Sequence, residues 1–259
     1  MKYRYWFGRP IRPCTPSANS RRPVFVLGAY PSALHVRWHP PGYRRAINAI
    51  AVDDEPVPFW SGTDERDQIE KWLASGTWKD SWGKVSAAGR LNGSSGVWLR
   101  DRVLGPLQVP FTDVWATDCL DTYRLSGGAA KRLRDDDLQA LMARHHIPRL
   151  NAQRHPTEAA IVSECLEHHI PRLIGELATA RPKRIVTLGN AALRVLRELV
   201  DSTEDVPRGL SADETYGQPI RARFDGSDAF VWIPLAHPGA PSKYQRAHDR
   251  WIEHASRAA

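Results

Sequence analysis

The sequence is poor in cysteine and has no long apolar run, and each scarcity removes a class of protein. Three cysteines in 259 residues (Cys14, Cys119 and Cys165) are too few and too scattered for a disulfide framework. No stretch reaches the ~18 consecutive apolar residues of a membrane span. The opening Met1-Lys2-Tyr3-Arg4-Tyr5-Trp6 lacks the apolar core of a signal peptide. A soluble, cytoplasmic protein with no membrane partner is expected. Also missing are Gly-x-Gly-x-x-Gly and Gly-x-x-x-x-Gly-Lys-[Ser/Thr], the ordinary phosphate cradles, which counts against a Rossmann-like or P-loop nucleotide enzyme. There is no internal repeat.

What is present leans towards a polyanionic partner. The net charge is +7, from 36 Lys+Arg against 29 Asp+Glu, with arginine well ahead of lysine. Neutralising phosphates with such charges releases counterions and drives association. Ten tryptophans, several in polar or glycine-rich stretches (Trp78, Trp82, Trp98), suit base stacking, although packing is the commoner fate of that side chain.

Four segments read as buried strands: Val24–Leu27, Val109–Thr117, Arg184–Leu188 and Phe230–Leu235. Between them lie helical crossovers. One is capped by Ser61 or Thr63 with Ile69, Trp72 and Leu73 inward, and one runs from Thr157 to Ala180 with a break expected at Pro171. Another spans Ala191 to Val200, and the last ends near Ser256. Gly76 to Gly105 reads as an insertion or short hairpin. Ser126 to Arg134 reads as a flexible basic loop, either mobile and facing phosphate or a solvated linker. The pattern predicts an α/β fold, a three-layer α/β/α arrangement around a central, mostly parallel four-stranded sheet. Residues 1–259 form one domain on this reading, with 1–22 an irregular lead-in lying over it.

Three strand ends carry unusual loops: Gly28–Ser32, Thr117–Leu120 and His237–Tyr244. In a parallel sheet all three fall on the carboxyl rim, where ligands bind. Together with Phe59 they resemble the uracil-DNA glycosylase superfamily. The counterparts of its loops are Gly28-Ala29-Tyr30-Pro31-Ser32, Phe59, Asp118 and His237-Pro238-Gly239. Its helix–strand–helix unit is matched by Arg181-Pro182-Lys183-Arg184-Ile185-Val186-Thr187-Leu188-Gly189-Asn190-Ala191-Ala192.

The resemblance implies a uracil-DNA glycosylase-like fold and a base-excision-repair hydrolase. It would act as a cofactor-free monomer, associated with the nucleoid, on uracil in single- or double-stranded DNA. Such an enzyme flips the base and cleaves its N-glycosidic bond. In that scheme His237 donates to the base oxygen, Phe59 stacks on the base, and Gly28, Ala29, Tyr30 and Asp118 complete the base site. Ser32, Arg37, Ser242, Lys243 and Arg246 would touch DNA, and Pro241 or Tyr244 would wedge into the stack.

The chain departs from the family in three respects. Tyr30 stands where the best-known members carry the acid that positions water. Glu55 is the favoured replacement, Asp54 the next, with Asp53 and Asp64 nearby. Asp118 replaces an asparagine and, as a carboxylate, has no donor for the base O4 unless burial raises its pKa. Three cysteines fall short of the four that hold an iron–sulfur cluster in some members. Cys165, His168 and His169 share a helix face but have no fourth partner, so no metal is expected. The missing first-loop acid leaves one alternative, a non-hydrolytic binder of uracil-containing or damaged DNA.

Overall fold

The computed structural model describes residues 3–202, 205–224, 228–239 and 242–258. In chain order the strands are β1 (Val24–Gly28), β2 (Ala33–His39), β3 (Ile47–Asp54), β4 (Lys84–Ala87), β5 (Val114–Asp118), β6 (Arg184–Leu188), β7 (Asp201–Ser202), β8 (Ile220–Arg223) and β9 (Phe230–Leu235). The helices are α1 (Glu65–Ala74), α2 (Ser94–Leu99), α3 (Gly127–Arg132), α4 (Asp136–Arg144), α5 (Glu158–His168), α6 (Ile170–Ala180), α7 (Asn190–Arg197) and α8 (Gln245–Ala258).

The central sheet has the order β5-β1-β6-β9-β8-β7. Its first four members are parallel, and β8 and β7 extend it antiparallel beyond β9. These four strands are nearly continuous apolar runs because both faces are covered. Phe25, Leu27, Trp115, Ile185 and Trp232 pack under α5, α6 and α7. Val24, Val26, Val114, Val186 and Ile233 pack on the other face against Leu99 of α2, Val103 and Leu104 after it, and Ala247 and Trp251 of α8. The 157–180 segment is two helices, α5 and α6, meeting at His169 just before Pro171. Proline lacks the N–H a continuing helix needs, and it sits comfortably in a first turn.

The architecture exceeds the sequence reading in two ways. The central sheet has six strands rather than four, because β7 and β8 are too short to show a period. A second, antiparallel sheet of order β3-β2-β4 lies outside it, with β2 in the expected loop after β1 and β4 in the expected insertion or hairpin. Strand β2 alternates buried and exposed residues, with Val36 and Trp38 inward. Ser126–Arg134 is likewise no loop, since the Ser126 hydroxyl caps α3 by accepting from Ala129 N.

The lead-in is core. Tyr5, Trp6 and Phe7 are fully buried beside the second sheet. The Phe7 ring sits among Trp38, Trp72, Trp78 and Trp82, with centroids 5.0 to 5.8 Å away. Further along, Ser17 N donates to Ala116 O and Ser17 Oγ accepts from Ala116 N, so this segment also borders β5. Truncating Phe7 to alanine leaves a cavity at the centre of that aromatic group. Phe7→Ala is expected to lower unfolding free energy by about 3–5 kcal/mol in chemical denaturation.

Candidate functional site

The parallel register pairs Gly28 with Asp118 and Leu188 with Leu235 at the carboxyl rim, and Gly189 and His237 follow just beyond those strand ends. A cavity of about 810 Å³ opens there. Tyr30, Glu55, Phe59, Asp118 and His237 all line it. Ala29 and Ser32 contribute from the loop after β1, and Leu188, Gly189 and Asn190 from the β6–α7 junction.

Gly28 makes the floor possible. A Cβ there would lie 2.2 Å from Asp118 Oδ1 and 2.7 Å from Phe59 Cζ, too close for any other residue. Phe59 adopts φ 59°, a left-handed backbone that costs a bulky residue energy and is held only where its surroundings fix it. What fixes it is α2. Gly96 of that helix lies against the 59–60 backbone, where a Cβ would come within 2.1 Å of Phe59 O.

Glu55 follows the last residue of β3 and is buried. Its Oε1 accepts from Ser32 N at 2.9 Å, which ties the second sheet to the first loop of the central one. Burial, together with the nearby Asp118, pushes its pKa up to about 8, and the Ser32 bond offsets this only in part. Asp118 is raised to about 7, mainly by burial, with Arg172 pulling down and Glu176 pushing up. Arg172 spends its donors on the Asp118 and Cys119 carbonyls, Thr117 and Glu176. Among the described residues, no hydrogen bond reaches the Asp118 carboxyl oxygens.

His237 is oriented by its own loop, since Gly239 N donates to Nδ1 at 3.1 Å. In the neutral ring this leaves the proton on Nε2. Desolvation by the protein around the ring lowers its pKa, which favours that neutral form. Tyr30 Oη bonds His155 Nδ1 at 2.5 Å, and burial holds the phenol protonated with a pKa near 12.

Several expected site residues lie elsewhere. Asp54 accepts from Tyr5 Oη at 2.9 Å and from Arg12 N, facing the lead-in rather than the cavity. Asp53 pairs with Arg9, and Asp64 holds Trp60 and Gln68. Alternation along β3 separates Asp54 from its neighbour, so Glu55 alone of these carboxylates enters the cavity. Tyr244 is a core residue, buried against Tyr216 with its hydroxyl on Leu210 O, and is not available as a wedge. Arg37 is exposed on β2 and donates to Asn48, away from the cavity. Ser242 and Arg246 are exposed, Pro241 lies outside the described residues, and so does the Lys243 side chain. Cys165 neighbours Cys119, His169 faces Asp121 and His168 is exposed, so the three do not converge.

Sequence reasoning missed His35, Tyr123, Arg124 and His155, which also line the cavity, together with Ser126 at the start of the segment expected to face phosphate. Tyr123 and Arg124 sit just past the Asp118 loop, the one signal that pointed to them. No protein-family model matches the chain, and no curated protein matches it. No helix among the described residues is long and apolar enough to cross a membrane.

The raised pKa of Glu55 has a consequence for stability. Its native state holds a proton that the unfolded chain releases above the ordinary carboxylate range. The unfolded state therefore binds fewer protons, and stability falls as pH rises through about 8. Glu55→Gln is expected to flatten this decline and to be the more stable protein at pH 8, with no advantage at pH 4, by denaturant midpoints across that range.

Proposed function

We propose that the protein is a divergent uracil-DNA glycosylase-like enzyme that hydrolyses uracil from DNA without metal or organic cofactor. It acts on DNA as a cytoplasmic monomer. The observation that carries the reading is the convergence of a stacking ring, a buried acid pair and an oriented imidazole N–H in one rim cavity.

Each side chain has a task in that reaction. Phe59 offers its ring to a base taken out of the stack, an extrusion costing a few kcal/mol. Asp118, when protonated, presents one O–H donor and one acceptor. That pair matches uracil O4 and N3–H, so burial repairs the loss of the asparagine amide. Glu55 as carboxylate takes a proton from water while the water oxygen bonds to C1′. The C1′–N1 bond breaks, its electron pair leaves with the base, and His237 Nε2–H stabilises the charge gathering on O2.

The two carboxyls then need opposite states, Asp118 protonated and Glu55 ionised. Because their pKa values lie near 7 and 8 and they interact, one proton shared by the pair defines the active form. Binding without turnover is the second reading, favoured by the proton that Glu55 largely retains at pH 7.

An end-labelled oligonucleotide with one uracil, incubated with the protein and then alkali, is expected to break at that position. An intact strand defeats the enzyme reading, and a gel shift with no break selects binding alone. Glu55→Gln is expected to slow release by about 10²–10⁴-fold. The rate should be bell-shaped with its maximum between pH 7 and 8, and Asp118→Asn should abolish the alkaline limb.

A further inference from the structure

A second cavity, of about 440 Å³, lies towards the opposite end of the central sheet. Arg184 opens β6 and Val231 sits one residue into β9, so this space adjoins the amino ends of strands whose carboxyl ends feed the rim cavity. Its apolar lining comes from Val231 and Ile233 of the sheet, Trp251 and Ala255 of α8, Leu107 and Tyr216. The walls are fixed by the fold. Gly217 has φ 66°, and a Cβ there would lie 2.3 Å from Trp251 Cδ1, so glycine lets the chain at 216–217 press against the indole. Gly217 N donates to Pro234 O at 2.8 Å and fastens that contact to β9. Buried His248 steadies both aromatic walls. Its Nε2–H donates to Arg102 O, Nδ1 accepts from the Tyr216 hydroxyl at 2.6 Å, and its ring centroid lies 5.3 Å from that of Trp251.

The charges around this space are unequal. Arg184, Arg250 and His254 line it against one carboxylate among the described residues, Asp213. Asp213 is exposed and already paired with Arg250 at 3.5 Å. Arg250 also donates to Ala212 O at 3.2 Å, and His254 Nδ1 donates to Arg250 O at 2.6 Å. Arg184 is different. It is half-buried, and its guanidinium has no hydrogen bond or ion pair with any described residue. A permanently charged planar fork with free donors, set beside an apolar hollow, is matched by a carboxylate that takes two parallel N–H···O bonds.

We infer that this cavity is a second ligand site, taking a small aromatic carboxylic acid with its ring against Trp251 and Tyr216 and its carboxylate on Arg184. The volume suits such a molecule, since about 440 Å³ lies in the range of small-ligand pockets (~300–1,000 Å³). The aromatic body follows from the two ring-bearing walls, against which another ring packs edge-on or offset. A cavity held rigid beforehand loses little freedom when it is filled, and covering its apolar lining releases water. The site shares no lining residue with the rim cavity, so it stands whatever that cavity binds.

Calorimetric titration of the full-length chain with biphenylacetate and with biphenylacetamide tests it, because the two probes share their rings and differ in charge. The acid is expected to bind at least about tenfold tighter than the amide, the factor one charge-assisted hydrogen bond supplies. Arg184→Gln should remove that difference and leave the affinity for the amide unchanged. The Arg184 guanidinium bonds to no described residue, so this variant keeps the fold. Ala255→Phe, which fills the cavity from α8, should weaken both probes by about tenfold or more. Absence of binding, equal affinities in the wild-type protein, a preference that survives Arg184→Gln, or binding that survives Ala255→Phe each overturns the site. A second measurement locates the bound acid directly. The Trp251 indole N–H nuclear magnetic resonance signal, assigned by its loss in Trp251→Phe, should move on titration with biphenylacetate. A signal that stays in place while the acid binds puts the acid elsewhere and overturns the site.

Discussion

A Cβ at residue 28 would lie 2.2 Å from Asp118 Oδ1, and everything on the rim depends on its absence. With glycine there, the carboxyl of β5 leans across the end of β1 and the ring of Phe59 closes on the same spot. The two neighbours come from segments far apart in sequence, and the parallel pairing of Gly28 with Asp118 brings them into register. Glu55 is then tied in through Ser32 N, two residues beyond the loop's Tyr30. One missing side chain thus sets the spacing of an acid pair and an aromatic wall.

The burial that creates the cavity also tunes it. Two carboxyls share one poorly solvated space with few compensating donors, and both hold protons well above the usual carboxylate range. Strain accompanies this tuning. Phe59 keeps a left-handed backbone because α2 is pressed against it at Gly96, and the tertiary structure rather than local preference holds the ring in place. Sites of this kind are where a protein tolerates conformations that an isolated peptide would abandon.

The four parallel strands were legible because burial on both faces writes them as unbroken apolar runs. Their loops were legible because Gly28, Asp118 and His237 end those runs abruptly. The second sheet was not. Its strand β2 carries two histidines and an arginine, so its period of two was masked by residues that look like loop chemistry, and β3 is bulged around Ala49 at φ 57°. Asp54 and Glu55 are adjacent, and only the strand's alternation decides that one faces Tyr5 and the other the cavity. Tyr244 looked exposed because it follows a polar loop, yet a long-range contact with Tyr216 buries it.

Strand β5 is the outermost member of the central sheet on its side, and such a strand presents unpaired amides and carbonyls to any passing chain. Here Ser17 supplies that missing neighbour through its backbone N–H and its hydroxyl. The opposite border ends in the two-residue β7, too brief to template another molecule. The segment that looks like an appendage therefore covers this border of the sheet, and removing it would leave an open, adhesive margin.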